Sequence, residues 1–130
     1  MEDIPGPDNR SPCPIAVTLD LIGDRWTLVL VRDLVNGKTR YGEFLESPEG
    51  ITTNILADRL KRMQAHGIVR RSPYQSAPVR HEYRLTRRGE ALLPILHAIC
   101  DWANAEFPGT WTPSHAFMTR QLGDGRDPTK

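Results

Sequence analysis

Apolar positions recur at helical spacing from residue 14 to 66, alternate from 68 to 85, and return to helical spacing from 87 to 106. Pro14 suits the first position of a helix, where a missing N–H costs nothing. Ile15, Leu19 and Ile22 form that helix's apolar face, and Gly23 ends it. Asp24 is an N-cap for a second helix over 25–35, rich in Leu and Val and placed in the core. Asn36-Gly37 is a turn, 39–40 a very short strand, and 41–46 a short helix burying Phe44 and Leu45. After the turn 47–50, Thr52 caps a helix that ends at His66, with Gly67 as its stop. Strands are expected over 68–74 and 79–85, joined by a loop at 75–78. In the second strand Val79, His81, Tyr83 and Leu85 face the core, between Arg80, Glu82 and Arg84.

Thr86 then caps one long helix over 87–106, kinked by Pro94 in its second turn. Its apolar residues cover much more than one stripe, which is a sign of burial on several sides. A domain this small covers only one of them, so a second copy is expected to cover the other. Leu92, Leu96, Ile99 and Trp102 are expected in that interface, with Leu19 of the first helix. A further short helix is expected at 113–122. The segment 1–12 reads as a flexible arm and the last eight residues as a disordered tail.

The resulting fold class is mainly α with one small β-hairpin: a winged helix-turn-helix. Its domain spans 13–106, and 107–130 is a C-terminal extension. The helices at 41–46 and 52–66 form the helix-turn-helix pair, and the hairpin is the wing.

Charge sharpens this picture. Residues 51–90 carry nine Lys/Arg and three Asp/Glu, a local charge of +6; the other ninety residues hold eight basic and thirteen acidic. Cations gathered on one helix-and-hairpin unit point to a polyanionic partner, here double-stranded DNA. On a helical wheel Ile55, Leu56, Leu60 and Met63 share the core arc, while Asn54, Ala57, Asp58, Lys61 and Ala65 lie opposite. The N-terminal part of such a helix meets base edges in the major groove. Thr53, Asn54, Ala57 and Lys61 are therefore the readout candidates, and Thr52 offers free helix N–H groups to a phosphate. Arg80 near the wing tip is placed for the minor groove; Arg70, Arg71, Arg84, Arg87 and Arg88 are placed for phosphates. Arg59 falls inside the apolar arc and is expected to pair with Asp33 or Glu82, while Asp58 either accepts from a cytosine N4 or pairs with Lys61 or Arg62.

Other chemistry has little support. The four histidines lie far apart, and neither metal-ligand spacing, a phosphate loop nor a nucleophile elbow is present, so no cofactor, metal site or enzyme activity is expected. No apolar run approaches membrane-span length. The acidic, Pro-rich N-terminus resembles neither a signal nor a transit peptide, and two well-separated cysteines suit a reducing, cytoplasmic setting. Cys100 reads as structural. Cys13, at a helix N-terminus where the dipole favours thiolate, is the candidate reactive group.

The stretches CPIAVTLDLIGDRWTLVLVRDLVNGKTRYGEFL, GITTNILADRLKRMQAHGIVRR and APVRHEYRLTRRGEALLPIL, with the DWA that follows, resemble the HxlR-type winged helix-turn-helix regulators, bacterial relatives of the MarR group. The resemblance implies a homodimer joined through the first and last helices, binding an operator of dyad symmetry to repress or activate neighbouring genes. It also implies that an electrophile or oxidant could be sensed through a cysteine at the position of Cys13, and a small-molecule effector is the other expected input. Gly42 stands where the family often has a Ser, which predicts a less firmly started short helix. The alternatives are a winged-helix protein-interaction module that never meets DNA and a redox enzyme built on Cys13.

Overall fold

The computed structural model describes residues 10–122, so the segments 1–9 and 123–130 of the expected arm and tail lie outside the described residues. Seven helices and one hairpin follow in the order α1 Pro14–Ile22, α2 Thr27–Val35, α3 Tyr41–Leu45, α4 Thr53–Ala65, β1 Val69–Ser76, β2 Val79–Leu85, α5 Arg87–Glu90, α6 Leu93–Glu106 and α7 His115–Thr119. This is the mainly α, winged helix-turn-helix architecture. Its core is centred on Leu30 and Val31 of α2, Phe44 of α3, Leu56, Leu60 and Met63 of α4, Val69 of β1 and Leu93 of α6.

Helix ends follow local chemistry. Thr52 Oγ1 accepts from Ile55 N at 3.4 Å and starts α4. At the other end Gly67 N donates to Gln64 O (3.1 Å) and Ile68 N to Met63 O (2.8 Å), with Gly67 at φ +75. This paired arrangement needs a left-handed residue, which is why Gly67 stops the helix. Gly89 is fixed by space instead: a Cβ there would meet Ile68 O at 2.2 Å. It lets α5 pack directly on the join between α4 and the hairpin.

Several expectations are corrected. The long helix over 87–106 is two helices, broken at Ala91-Leu92. Pro94 cannot donate to the carbonyl of Glu90, and its ring crowds that carbonyl, so the break falls one turn before it. Asp24 does hold the start of α2, accepting from Trp26 N and Thr27 N at 3.0 Å each, yet the helix begins only at Thr27. Residues 39–40 make no strand; Thr39 contributes one carbonyl to Tyr83 N at 2.7 Å. The hairpin loop is only Ala77-Pro78, because β1 runs on to Ser76 past an irregularity between Pro73 and Gln75. Such a bulge accommodates the missing Pro73 N–H. Val79 is exposed rather than covered, since the wing tip projects beyond the body, and His81 is only half-buried. Gly42 does not loosen α3: Glu43 Oε1 accepts from Thr39 N (2.8 Å) and Arg40 N (3.0 Å) and closes the helix start.

The C-terminal extension folds back across the domain. Its helix, His115–Thr119, is shorter than 113–122 and starts later because Ser114 caps it: Ser114 Oγ accepts from Phe117 N at 3.1 Å. Buried Phe117 packs edge-on against His97, whose Nε2 lies 2.8 Å from the Phe117 carbonyl. Arg120 donates to the carbonyl of Val35 at the end of α2. At the other terminus Arg10 Nε bonds Asp20 at 2.9 Å, which ties the last part of the expected arm to α1.

Candidate nucleic-acid interface

The second helix of the helix-turn-helix, α4, buries Leu56, Leu60 and Met63 and presents its other side to solvent. Thr52, Thr53, Asn54, Ala57 and Lys61 are all exposed. Asp58 is held at the edge of this arc by Arg59 and, at 3.9 Å, by Arg62 Nη1. Arg59 is not bound to Asp33 or Glu82, as its place in the apolar arc suggested. Its Nε reaches 2.9 Å to Asp24, the residue that caps α2.

Asp33 is engaged elsewhere. It accepts from Ser47 Oγ and from Arg32 Nη2 at 2.8 Å, while Lys38 Nζ donates to Ser47 at 3.0 Å. Arg32 also grips Glu49 with two hydrogen bonds, at 2.7 and 2.9 Å. Glu49 lies three residues before the Thr52 cap. Asp33 and Ser47 are buried, and paired, hydrogen-bonded burial is the form in which charge is tolerated inside a protein. The network therefore fixes the turn that delivers α4. Hydrogen bonds from Arg32 hold the Glu49 carboxyl below its ordinary range.

The wing carries Arg70, Arg71, Arg80 and Arg84, all exposed. Arg70 sits directly opposite Arg84 across the ladder. Like charges so opposed destabilise a hairpin unless an anion lies between them. Glu82 relieves Arg84 only in part, at 3.2 Å. Arg87 and Arg88 follow in the first turn of α5; Arg88 Nη1 donates to His66 O at 2.9 Å and so also closes the end of α4. The hairpin is latched to the body by a contact that spacing does not reveal: the Arg40 guanidinium lies 3.6 Å from the centroid of the Tyr74 ring, at the bulge. Tyr41 and Tyr83 pack beside it at 6.1 Å.

Cys13 stands at the N-cap of α1 and is exposed. The amide of Ala16, then that of Ile15, lowers its thiol pKa below the ordinary value; slight desolvation opposes this, and the charge of Arg10 assists. Cys100 is partly buried, and that burial pushes its thiol up. Ile15 and Leu19 of α1 and Ile99 and Trp102 of α6 are exposed apolar side chains, Trp102 at 62% with Phe107 edge-on at 5.6 Å. Leu96, expected on that surface, is buried in the chain's own core, and Leu92 is half-buried against it. Trp26 is half-buried against the core as well. Among the described residues no His/Cys/Asp/Glu group could hold a metal, and no helix is long and apolar enough to cross a membrane.

A helix-turn-helix with a latched basic wing defines a transcription-regulator class of DNA-binding protein. Residues 21–110 match the HxlR-like helix-turn-helix family, and the chain belongs to it. It is 37% identical over 98 residues to the HTH-type transcriptional regulator sll1512 of Synechocystis, covering 72% of this chain and 73% of that protein. Among solved structures, the oxidised form of the redox regulator HypR is 36% identical with a TM-score of 0.65, covering 72% of this chain and 96% of the other. The reduced transcriptional regulator YodB from B. subtilis is 31% identical with a TM-score of 0.65, covering 77% and 100%. The family is one of transcriptional regulators and not of enzymes.

Proposed function

We propose that two copies of this chain form a cytoplasmic homodimer that binds a dyad-symmetric operator in double-stranded DNA and regulates the adjacent genes. The observation that carries this reading is the outer arc of α4. Thr53, Asn54, Ala57 and Lys61 stand exposed together beside a wing whose arginines face one another. Asn54 suits adenine, Ala57 a thymine methyl, and Thr53 either edge. Arg70, Arg71, Arg84, Arg87 and Arg88 serve the phosphates, and Arg80 the minor groove. The exposed apolar side chains Ile15 and Leu19 on α1 and Ile99 and Trp102 on α6 support assembly through these two helices. Two-fold assembly would set two α4 helices about 34 Å apart, in successive major grooves.

Cys13 supports a redox-responsive form of this reading. An exposed thiol with lowered pKa at the start of a dimer helix, in a chain similar to the redox regulator HypR, suits an electrophile or oxidant sensor. An adduct there would disturb the packing of α1 and so the spacing of the two reading heads. Opposed arginines on the wing favour a polyanionic partner, which duplex DNA is.

Titrating a labelled duplex at rising salt tests the reading. Affinity should fall steeply, because each neutralised phosphate releases counterion. Salt-independent binding, or none, would remove it.

A further inference from the structure

A half-open cleft of about 700 Å³ lies between α2 and α6, and the C-terminal extension forms one of its walls. Leu28, Leu96, Ile99 and Phe117 give it an apolar floor, and Trp111 stands at its mouth. Asn104 Nδ2 fastens the extension at this edge, donating to Thr110 Oγ1 at 2.8 Å and to the Trp111 carbonyl at 2.9 Å. The volume lies within the range of small-molecule sites, which are apolar with a few placed polar groups. Here the polar side chains of the walls are Asn36, Asn104, Thr110, Thr112 and Ser114, of which Asn104, Thr110 and Ser114 already make hydrogen bonds within the chain.

The chemistry of the walls selects the occupant. Arg32 is the one charged residue among them, and its guanidinium is already bound to Asp33 and Glu49. Its charge is thus already balanced within the chain, and the cleft offers no unpaired charge to offset the desolvation of an ionic occupant. A second copy of the chain is not the natural occupant either. Of the side chains proposed for the dimer surface only Ile99 borders the cleft; Ile15, Leu19 and Trp102 lie outside it.

Arg32 also connects the cleft to the reading head. The side chain that lines the wall holds Glu49, in the turn that leads into Thr52 and α4. We propose that this cleft binds an uncharged, largely apolar small molecule, and that Arg32 and Glu49 transmit its presence to α4 as a change in DNA affinity. The second half of this statement rests on the DNA-binding reading above; the first half does not.

The test uses the full chain and N-phenyl-1-naphthylamine, an uncharged aromatic fluorophore. Without DNA, emission should rise saturably with one probe per chain. Val29→Phe and Ala103→Phe, which fill the cleft from its two helices, should each weaken probe binding about tenfold or more while keeping the wild-type melting temperature. With labelled duplex, saturating probe should shift the wild-type dissociation constant by about fivefold or more, the lower end of usual coupling between sites. Glu49→Gln should still bind probe but show no such shift. Absent saturation, or affinity unchanged in both folded filling variants, overturns the site. Sedimentation showing that probe binds by displacing a second chain also overturns it. Probe binding without a shift in wild-type DNA affinity overturns the coupling. Failure of the wild type to bind duplex in the absence of probe would instead defeat the DNA reading, while the DNA-free arm still decides the cleft.

Discussion

Arg59 of the recognition helix donates to Asp24 at 2.9 Å, and the same Asp24 carboxylate caps α2 through Trp26 N and Thr27 N. One carboxylate thus joins the α1–α2 corner to the helix proposed to read DNA. Arg59→Ala should destabilise the fold by roughly 1.5–3 kcal/mol, the usual worth of a hydrogen bond to a charged group, and loosen α4 against α2. Urea unfolding measures this; a loss of a few tenths would make the pair incidental.

The same carboxylate predicts a pH dependence. Burial pushes the Asp24 pKa up, but hydrogen bonds from Thr27, Trp26 and Arg59 outweigh it and leave the group below the usual aspartate range. The folded state therefore releases this proton more readily than the unfolded chain does. Its stabilising contribution is complete above the ordinary aspartate pKa and is lost as pH falls through that value toward the folded one. Melting temperature against pH should drop more steeply across this acid window in the wild type than in Asp24→Asn. Superimposable profiles would exclude the assignment.

The latch between Arg40 and Tyr74 should set the angle of the wing. Tyr74→Ala removes a contact of about 0.5–2 kcal/mol and should weaken duplex binding while lowering the melting temperature by only a few degrees. Tyr74→Phe keeps the ring face and should bind as the wild type does. Equal losses in both variants would point to the hydroxyl instead.

Much of this was legible because helix-forming residues and stop signals agree locally. Thr52, Gly67 and Thr86 mark boundaries through bonds made within a few residues, and the arc of Leu56, Leu60 and Met63 is set by helical geometry alone. The outward positions Thr53, Asn54, Ala57 and Lys61 follow from the same wheel. What spacing could not reveal depends on long-range pairing. Arg59 is thirty-five residues from Asp24, and Arg32 seventeen from Glu49, and several acids competed for each. Leu96 looked equivalent to Ile99 on an all-apolar helix, yet packing against the rest of the domain buries Leu96 and leaves Ile99 exposed. The folding back of residues 107–122 rests on Phe117 and Arg120 meeting α6 and α2, which no periodicity marks.

The proposed dimer surface gives a separate prediction. Trp102→Asp replaces an exposed apolar side chain of α6 with a charge and should yield a folded monomer in sedimentation, with weakened operator binding. A dimer of unchanged strength would move the interface away from α6.

Cys13 and Cys100 should differ in reactivity. The lowered thiol of Cys13 should alkylate faster than the partly buried Cys100 at neutral pH, and the difference should narrow as pH rises and both become thiolate. Mass spectrometry of a time course with iodoacetamide reads both sites at once. Faster labelling of Cys100 would leave Cys13 without a sensing role.

Base readout gives the sharpest residue-level test of the site. Asn54→Ala should cost about 1–3 kcal/mol at one base pair per half-site and little on unrelated duplex, whereas Arg80→Ala should weaken binding to all sequences. Equal losses for Asn54→Ala on both kinds of DNA would displace the readout face from this arc.

The central claim is that a dimer of this chain reads a symmetric sequence through α4. Selecting bound sites from random duplex DNA with the purified protein tests it most directly. The account predicts enrichment of an inverted repeat whose half-site centres lie about 10–10.5 base pairs, or a multiple, apart. Recovery of unenriched sequence, or of a single unrepeated site, would contradict it.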